Sequence, residues 1–257
     1  MLLQVRKCLV EGMGPDVVEG CGDHLTDLLS RDGRAWSASA GLVTQYLKES
    51  SFYIYNVTVI SAVVLAAGAS TRMGRQKLLL PIAGEPLVRR TVREVLDAWF
   101  DDVLVVIGHE HEAVLGALDG LAIRHALNPD YPTGMGSSFR AAIGALSDSA
   151  AAMFALADQP LLTARDYRQL LDTYSARPRG IVSVRYGEVT APPHLFDRAY
   201  FPELARLEHG ARPLLHRHAD KTTILRFDPE LLLDVDTPED YERAQMKMAG
   251  GSGHHAS

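Results

Sequence analysis

The residues of this chain best suited to handling a polyphosphate are two cations in one glycine-bearing loop and a small set of distant carboxylates. In Ser61 to Leu80, SAVVLAAGASTRMGRQKLLL, an apolar run gives way to the small residues Ala66-Ala67-Gly68-Ala69-Ser70, with Arg72 and Lys77 just downstream. Small side chains let backbone amides approach a ligand, and several N–H groups turned onto one point make an anion nest beside the two full positive charges. A nucleoside triphosphate is the anion this chemistry suits. Far along the chain, Asp158 ends a second apolar run, and Asp234 and Asp236 flank Val235. Mg²⁺ prefers a few carboxylates together with phosphate oxygens and water, so an acid at a strand tip beside a triphosphate invites it. Neighbouring acids have structural duties. Thr163 with Asp166, and Thr237 with Asp240, form capping boxes, the second with Pro238 at the first helical position. Asp158, Asp234 and Asp236 have no such duty. Asp234 and Asp236 point to the same side of an extended segment, and spacing alone does not separate them.

The loop is neither the Walker type, which needs Gly-Lys-Ser/Thr opening a helix, nor the GxGxxG dinucleotide turn. Leu65-Ala66-Ala67-Gly68-x-Ser70-x-Arg72-Met73-Gly74-x-x-Lys77 resembles the signature of the nucleotidyltransferases that serve the molybdenum cofactor, a group similar to molybdopterin-guanine dinucleotide synthase. Its Ala-Ala-Gly form is closer to the molybdenum cofactor cytidylyltransferases than to the guanylyltransferases, whose loop reads Ala-Gly-Gly. The resemblance runs from Ser61 to Arg243. It implies that Leu65, Ala66, Ala67, Gly68, Ser70, Arg72, Gly74 and Lys77 bind the nucleotide, with Arg72, Lys77 and Asp158 as the catalytic set. Asp158-Gln159-Pro160 matches the motif that carries the family's metal-binding aspartate, and the resemblance favours Asp236 as the second metal ligand. A family segment Asn-x-x-x-x-x-Gly-Met-x-x-Ser is similar to the stretch from Asn128, implying nucleotide contacts for Asn128, Gly134, Met135 and Ser137. Pro193 and Phe196 match a Gly-x-Pro-x-x-Phe segment that faces the acceptor. Glu208 and Arg212 match Gly-Asp-x-Gly-Ala-Arg, although Leu207 and Glu208 replace its Gly and Asp.

What the resemblance implies is transfer of a nucleoside monophosphate from CTP, or another NTP, to a molybdenum-pterin cofactor, with Mg²⁺ or Mn²⁺ as the metal and a molybdenum hydroxylase as recipient of the product. A related nucleotidyltransferase acting on a sugar phosphate or other phosphorylated acceptor, and a non-catalytic nucleotide- or cofactor-binding delivery module, are the alternatives.

These residues need a scaffold that brings loops together at one edge. Ala62–Leu65, Asp102–Ile107, Ala122–Ala126, Ala151–Ala157, Ile181–Tyr186 and Thr223–Phe227 read as strands, with amphipathic helical segments between several of them. The alternation predicts a three-layer α/β domain with a mostly parallel, Rossmann-like sheet and ligands at its carboxyl edge. Residues 59–249 form that domain, 1–58 an extension with helical segments at 16–29 and 40–48, and 250–257 a flexible tail. With 257 residues, 47% hydrophobic and 23% charged, the chain can bury a sizeable core. A net charge of -6 gives no support for sequence-independent nucleic-acid binding, so any anion site must be local. No apolar run approaches membrane-spanning length, and Cys8 and Cys21 form no disulfide framework, so a cytoplasmic setting is expected. His109-Glu110-His111-Glu112 lacks the HExxH order of zinc hydrolases and reads as a solvated helix start, and His216 and His218 as a surface pair. Ser137 or Ser138 can cap the helix that follows Gly134.

Overall fold

The computed structural model describes residues 58–251; the expected helical segments at 16–29 and 40–48, Cys8, Cys21 and the end of the tail lie outside those residues. Seven strands form one sheet: β1 (Val59–Ala66), β4 (Asp102–Ile107), β5 (Arg124–Leu127), β6 (Ser149–Leu156), β7 (Ile181–Tyr186), β8 (Val189–Asp197) and β9 (Thr222–Phe227). The short β2 (Pro81–Ile82) and β3 (Glu85–Pro86) pair separately. The order is β5-β4-β1-β6-β8-β7-β9, and β8 alone runs against the rest. A two-residue turn, Gly187-Glu188, forces that reversal. Tyr186 pairs with Val189 across it, and Gly187 takes the positive φ of 58° that the first central position of a type II′ turn requires.

Helices cover both faces. On one lie α1 (Leu87–Asp97), α2 (His111–Ala117), α4 (Ala164–Ala176) and α7 (Pro238–Gly251); on the other lie α3 (Met135–Gly144), α5 (Phe201–Leu204) and α6 (Arg212–Arg217). α1 shows why the layers form. Leu87, Val88, Thr91, Val92 and Val95 recur at helical spacing and are buried against the sheet. The second layer buries Phe139, Phe201, Leu204 and Leu214 against Val63, Leu104 and Phe154. Both expected capping boxes are present: Thr163 and Asp166 start α4, and Thr237 and Asp240 start α7.

The order of connection locates the site. From β1 the chain builds outward through β4 to β5, then returns to the other flank of β1 for β6. Parallel α/β sheets open a crevice where the order reverses, at the carboxyl end of the strand between, here β1. No helix among the described residues is long and apolar enough to cross a membrane.

One buried group on β8 has a consequence for stability. His194 is 5% exposed, and its Nδ1 lies 3.0 Å from Ser183 Oγ on β7. Burial lowers its pKa from 6.5 to about 3. The unfolded chain therefore takes up a proton near pH 6.5 that the folded chain refuses, and stability present above that pH is lost as pH falls toward 3. Urea denaturation between pH 6 and pH 5 should show a loss of about 1.4 kcal/mol per pH unit, the value for one differentially bound proton. His194→Gln should flatten this slope; a slope that survives the substitution would assign the proton to another group.

Candidate active site

The glycine-bearing loop after β1 is held by a short internal network. Ser70 adopts a left-handed conformation, with φ 51°. Its hydroxyl donates to Gln76 Oε1 at 2.8 Å and accepts from the Lys77 amide at 3.2 Å. Gln76, 5% exposed, donates through Nε2 to the carbonyls of His109 at 3.2 Å and Gly68 at 3.5 Å. One amide side chain thus ties the two ends of the loop to each other and to the segment leaving β4. That fixes the direction in which Lys77 departs.

Lys77 crosses to two acids separated widely in sequence. Its Nζ donates to Asp158 Oδ2 at 2.6 Å and to Asp236 Oδ1 at 2.7 Å, while Arg72 Nη2 reaches Asp236 Oδ2 at 2.9 Å. Asp158 follows β6, where the Ala157 amide bonds Leu65 O; the Val235 amide bonds Asp158 O at 3.0 Å. That last bond brings the 234–236 segment to the sheet edge and presents Asp236 to the lysine. Burial works against a charge on Lys77, and the two carboxylates overcome it, so its pKa stands above the usual 10.5. Asp234 lies beside this group but is bonded by Gln159 Nε2 at 2.8 Å. Burial, then the charge of Asp158, raises its pKa.

A cleft of about 320 Å³ opens over this ion network. Leu65, Ala66, Ala67, Gly68, Ser70 and Arg72 line one part of it, Lys77, Asp158 and Asp236 another, and Gly134 and Met135 a third. Tyr131 and Ser138 line it as well, although the sequence reading assigned them no ligand. The serine in the cleft is Ser138, which also stands where the spacing Gly-Met-x-x-Ser places it. Ser137 turns inward, its hydroxyl donating to Gly134 O at 2.7 Å. Neither serine caps α3. The cap is Gly134, because both serines lie in the first helical turn, engaged by Asn128 Nδ2 at 2.9 and 3.0 Å. Asn128 is 2% exposed, so it braces the cleft from behind rather than lining it. Gly74 also stays off the lining.

The expected acceptor residues are not brought together. Phe196 is fully buried and packs against Phe154 with ring centroids 6.1 Å apart, and Pro193 is buried beside His194 on β8. Glu208 is exposed, but its carbonyl accepts from the Gly136 amide at 3.1 Å. Gly136 permits that approach: a Cβ there would lie 1.9 Å from Leu207 O. Arg212 lines a different cavity. Gln76 was missed as well, because its place three residues after Met73 carries no local signal of the three segments it joins.

The fit of a divalent ion can be tested on the donors. Asp158 Oδ1 is buried without a hydrogen-bond partner, an oxygen left over after the lysine is satisfied. Among the described residues no cluster of three or more His, Cys, Asp or Glu could hold a metal. Two carboxylates plus the oxygens of a bound phosphate make the donor set Mg²⁺ or Mn²⁺ takes, so Asp158 and Asp236 fit such an ion. The 109–112 acids and histidines form no metal cluster: His109 Nε2 faces Glu110 at 3.2 Å and its Nδ1 faces Tyr131 at 3.3 Å. His218 is not a bare surface residue, being held by Glu203 at 2.9 Å.

A switch-point crevice with a lysine-bearing glycine loop and opposed aspartates defines a nucleotide-binding α/β transferase. Residues 62–222 match the MobA-like NTP transferase domain, and the chain belongs to that family. It is 32% identical over 196 residues to nicotine blue oxidoreductase of Paenarthrobacter nicotinovorans, covering 72% of this chain and 95% of that protein. It is 30% identical over 200 residues to the purine catabolism protein PucB of Bacillus subtilis, covering 73% and 96%. Among solved structures, Rv0371c of Mycobacterium tuberculosis aligns with a TM-score of 0.66 at 31% identity, over 74% of this chain and 98% of that one. A manganese complex of the same protein aligns at 0.63, over 74% and 99%. The fold and the family together make nucleotidyl transfer the activity class of this chain.

Proposed function

We propose that this protein transfers a nucleoside monophosphate from CTP to the terminal phosphate of a molybdenum-pterin cofactor, releasing pyrophosphate. The observation that carries the reading is the meeting of Lys77 with Asp158 and Asp236 at the mouth of the Ala66-Ala67-Gly68 loop. The Ala-Ala-Gly form supports the choice of cytidine, and the manganese complex of Rv0371c supports a divalent ion on the two aspartates. When bound, that ion supplies charge neutralisation for the triphosphate. The chain's own residues align the reactants. Loop amides, Arg72 and Lys77 hold the β- and γ-phosphates, and Met135 and Ser138 face the nucleoside part. An acceptor phosphate, its second pKa about 6, is largely ionised at neutral pH and attacks the α-phosphorus without a strong base. A bond forms from the acceptor oxygen to that phosphorus, the α–β bridging bond breaks, and its electron pair leaves on pyrophosphate.

Incubation with each NTP and purified cofactor tests this directly. Pyrophosphate should appear with CTP well above GTP. Release with sugar phosphates in place of the cofactor would transfer the reading to that acceptor class. Absence of pyrophosphate with every acceptor would favour a non-catalytic delivery module serving a molybdenum hydroxylase. A redox reading also follows from the 32% identity to a protein named an oxidoreductase. NADH or NADPH consumption without pyrophosphate would establish it in place of transfer.

A further inference from the structure

A second cavity, larger than the first at about 510 Å³, lies between β7, β8 and β9 on one side and α6 on the other. Arg185 and Arg212 both line it. Neither forms an ion pair or a side-chain hydrogen bond among the described residues, and Arg185 Nε is buried with no acceptor. A buried donor without a partner is a standing cost that a ligand oxygen would relieve. One carboxylate, Glu188, lines the cavity without pairing to either arginine, so the positive charge prevails there despite the chain's net -6. Ser183 on the floor is fixed by the neutral His194 behind it. Leu215 and Ile224 supply an apolar wall, Ile224 remaining 36% exposed.

We propose that this cavity is a second small-molecule site, taking a ligand with a phosphomonoester or comparable acidic group between Arg185 and Arg212 and a partly apolar body against Leu215 and Ile224. Its volume suits a small ligand, and a guanidinium's planar fork of N–H donors engages two oxygens of a phosphate at once, which a single point charge does not. The site is separate from the cleft over Lys77 and does not depend on what that cleft transfers. One segment links them: the loop that holds Gly136 through Glu208 O leads directly into α6 and Arg212.

Methyl NMR of the full chain reads this cavity alone, through the Ile224 δ1 methyl. Phenyl phosphate should shift that resonance saturably, whereas benzyl alcohol at the same concentration should not. Arg185→Gln and Arg212→Gln should each weaken the phenyl phosphate response by at least about tenfold, the loss expected for a charge-assisted contact. Arg165→Gln, an equal change of net charge on α4 in the other layer, should leave it intact. An unshifted methyl, an equal response to benzyl alcohol, or indifference to both cavity substitutions would overturn the site. The benzyl alcohol comparison needs no variant to fold. Competition between phenyl phosphate and the acceptor in pyrophosphate release would identify the ligand as a remote acidic group of that acceptor; altered release without competition would identify a separate effector. Either result leaves the cavity assigned, and failure of transfer leaves the NMR test untouched.

Discussion

Asp158→Asn should lower nucleotidyl transfer by at least about a hundredfold, the scale on which one charge aimed at a developing transition-state charge contributes. The fold should survive. Asn keeps the shape of the side chain, and Lys77 retains Asp236 at 2.7 Å as an anionic partner. Asp158 contributes Oδ2 to the lysine and holds Oδ1 free in a buried position, so the substitution removes the anionic charge that both the lysine and a divalent ion would draw on. Asp236→Asn should follow it closely, because that residue meets Lys77 and Arg72 together. Asp234→Asn should cost much less, since Asp234 is already bonded by Gln159. Steady-state rates on the three variants, with thermal melts to confirm folding, check this ranking. Full activity in Asp158→Asn would remove the metal assignment, and a larger loss at Asp234 than at Asp236 would reverse the choice between them.

The family resemblance favoured Asp236, but spacing alone could not have ranked the two acids, and the reason is specific. Asp234 and Asp236 share a side of the chain, and their difference comes from the Val235 amide docking on Asp158 O and from Gln159 standing beneath Asp234. Both are contacts between segments more than seventy residues apart. What the sequence did expose were features written in short runs: apolar strands ending in glycine or aspartate, the helical spacing of α1, and two capping boxes. The reversed strand β8 was obscured because its Thr-Ala-Pro-Pro stretch matched a family segment more visibly than a strand pattern. Phe196 illustrates the cost. In the family pattern it faces an acceptor, whereas alternation along β8 turns it into the core against Phe154. Gln76 and Tyr131 were missed for a related reason: their places are made by segments that arrive from other elements.

Lys77→Ala is expected to move two affinities in opposite directions. Without its ammonium group, the triphosphate should bind at least about tenfold more weakly, since a charge-assisted hydrogen bond is lost. A divalent ion should instead bind more tightly in the absence of nucleotide. In the protein as it stands, Nζ lies 2.6 and 2.7 Å from the two carboxylates an ion would need, so an ion must compete with a cation already in place. Removing that cation leaves Asp158 and Asp236 facing one another, a like-charge pair that a divalent ion relieves. Calorimetric titration of Mn²⁺ into nucleotide-free protein should show the variant binding more strongly than the wild type, with CTP titrations showing the reverse. The lysine's raised pKa fixes the pH range of the competition. Its ion-pair contribution is fully present below 10.5, the pKa of the unfolded state, and is lost only as pH rises through the higher folded value. At neutral pH the wild-type lysine is therefore charged throughout, and the difference between the two proteins should not vary from pH 6.5 to pH 8.5. Unchanged affinity for CTP would count against phosphate binding by Lys77. Equal Mn²⁺ affinity in the two proteins would show that the carboxylates engage the ion through oxygens the lysine does not occupy, with the buried Asp158 Oδ1 as the first candidate.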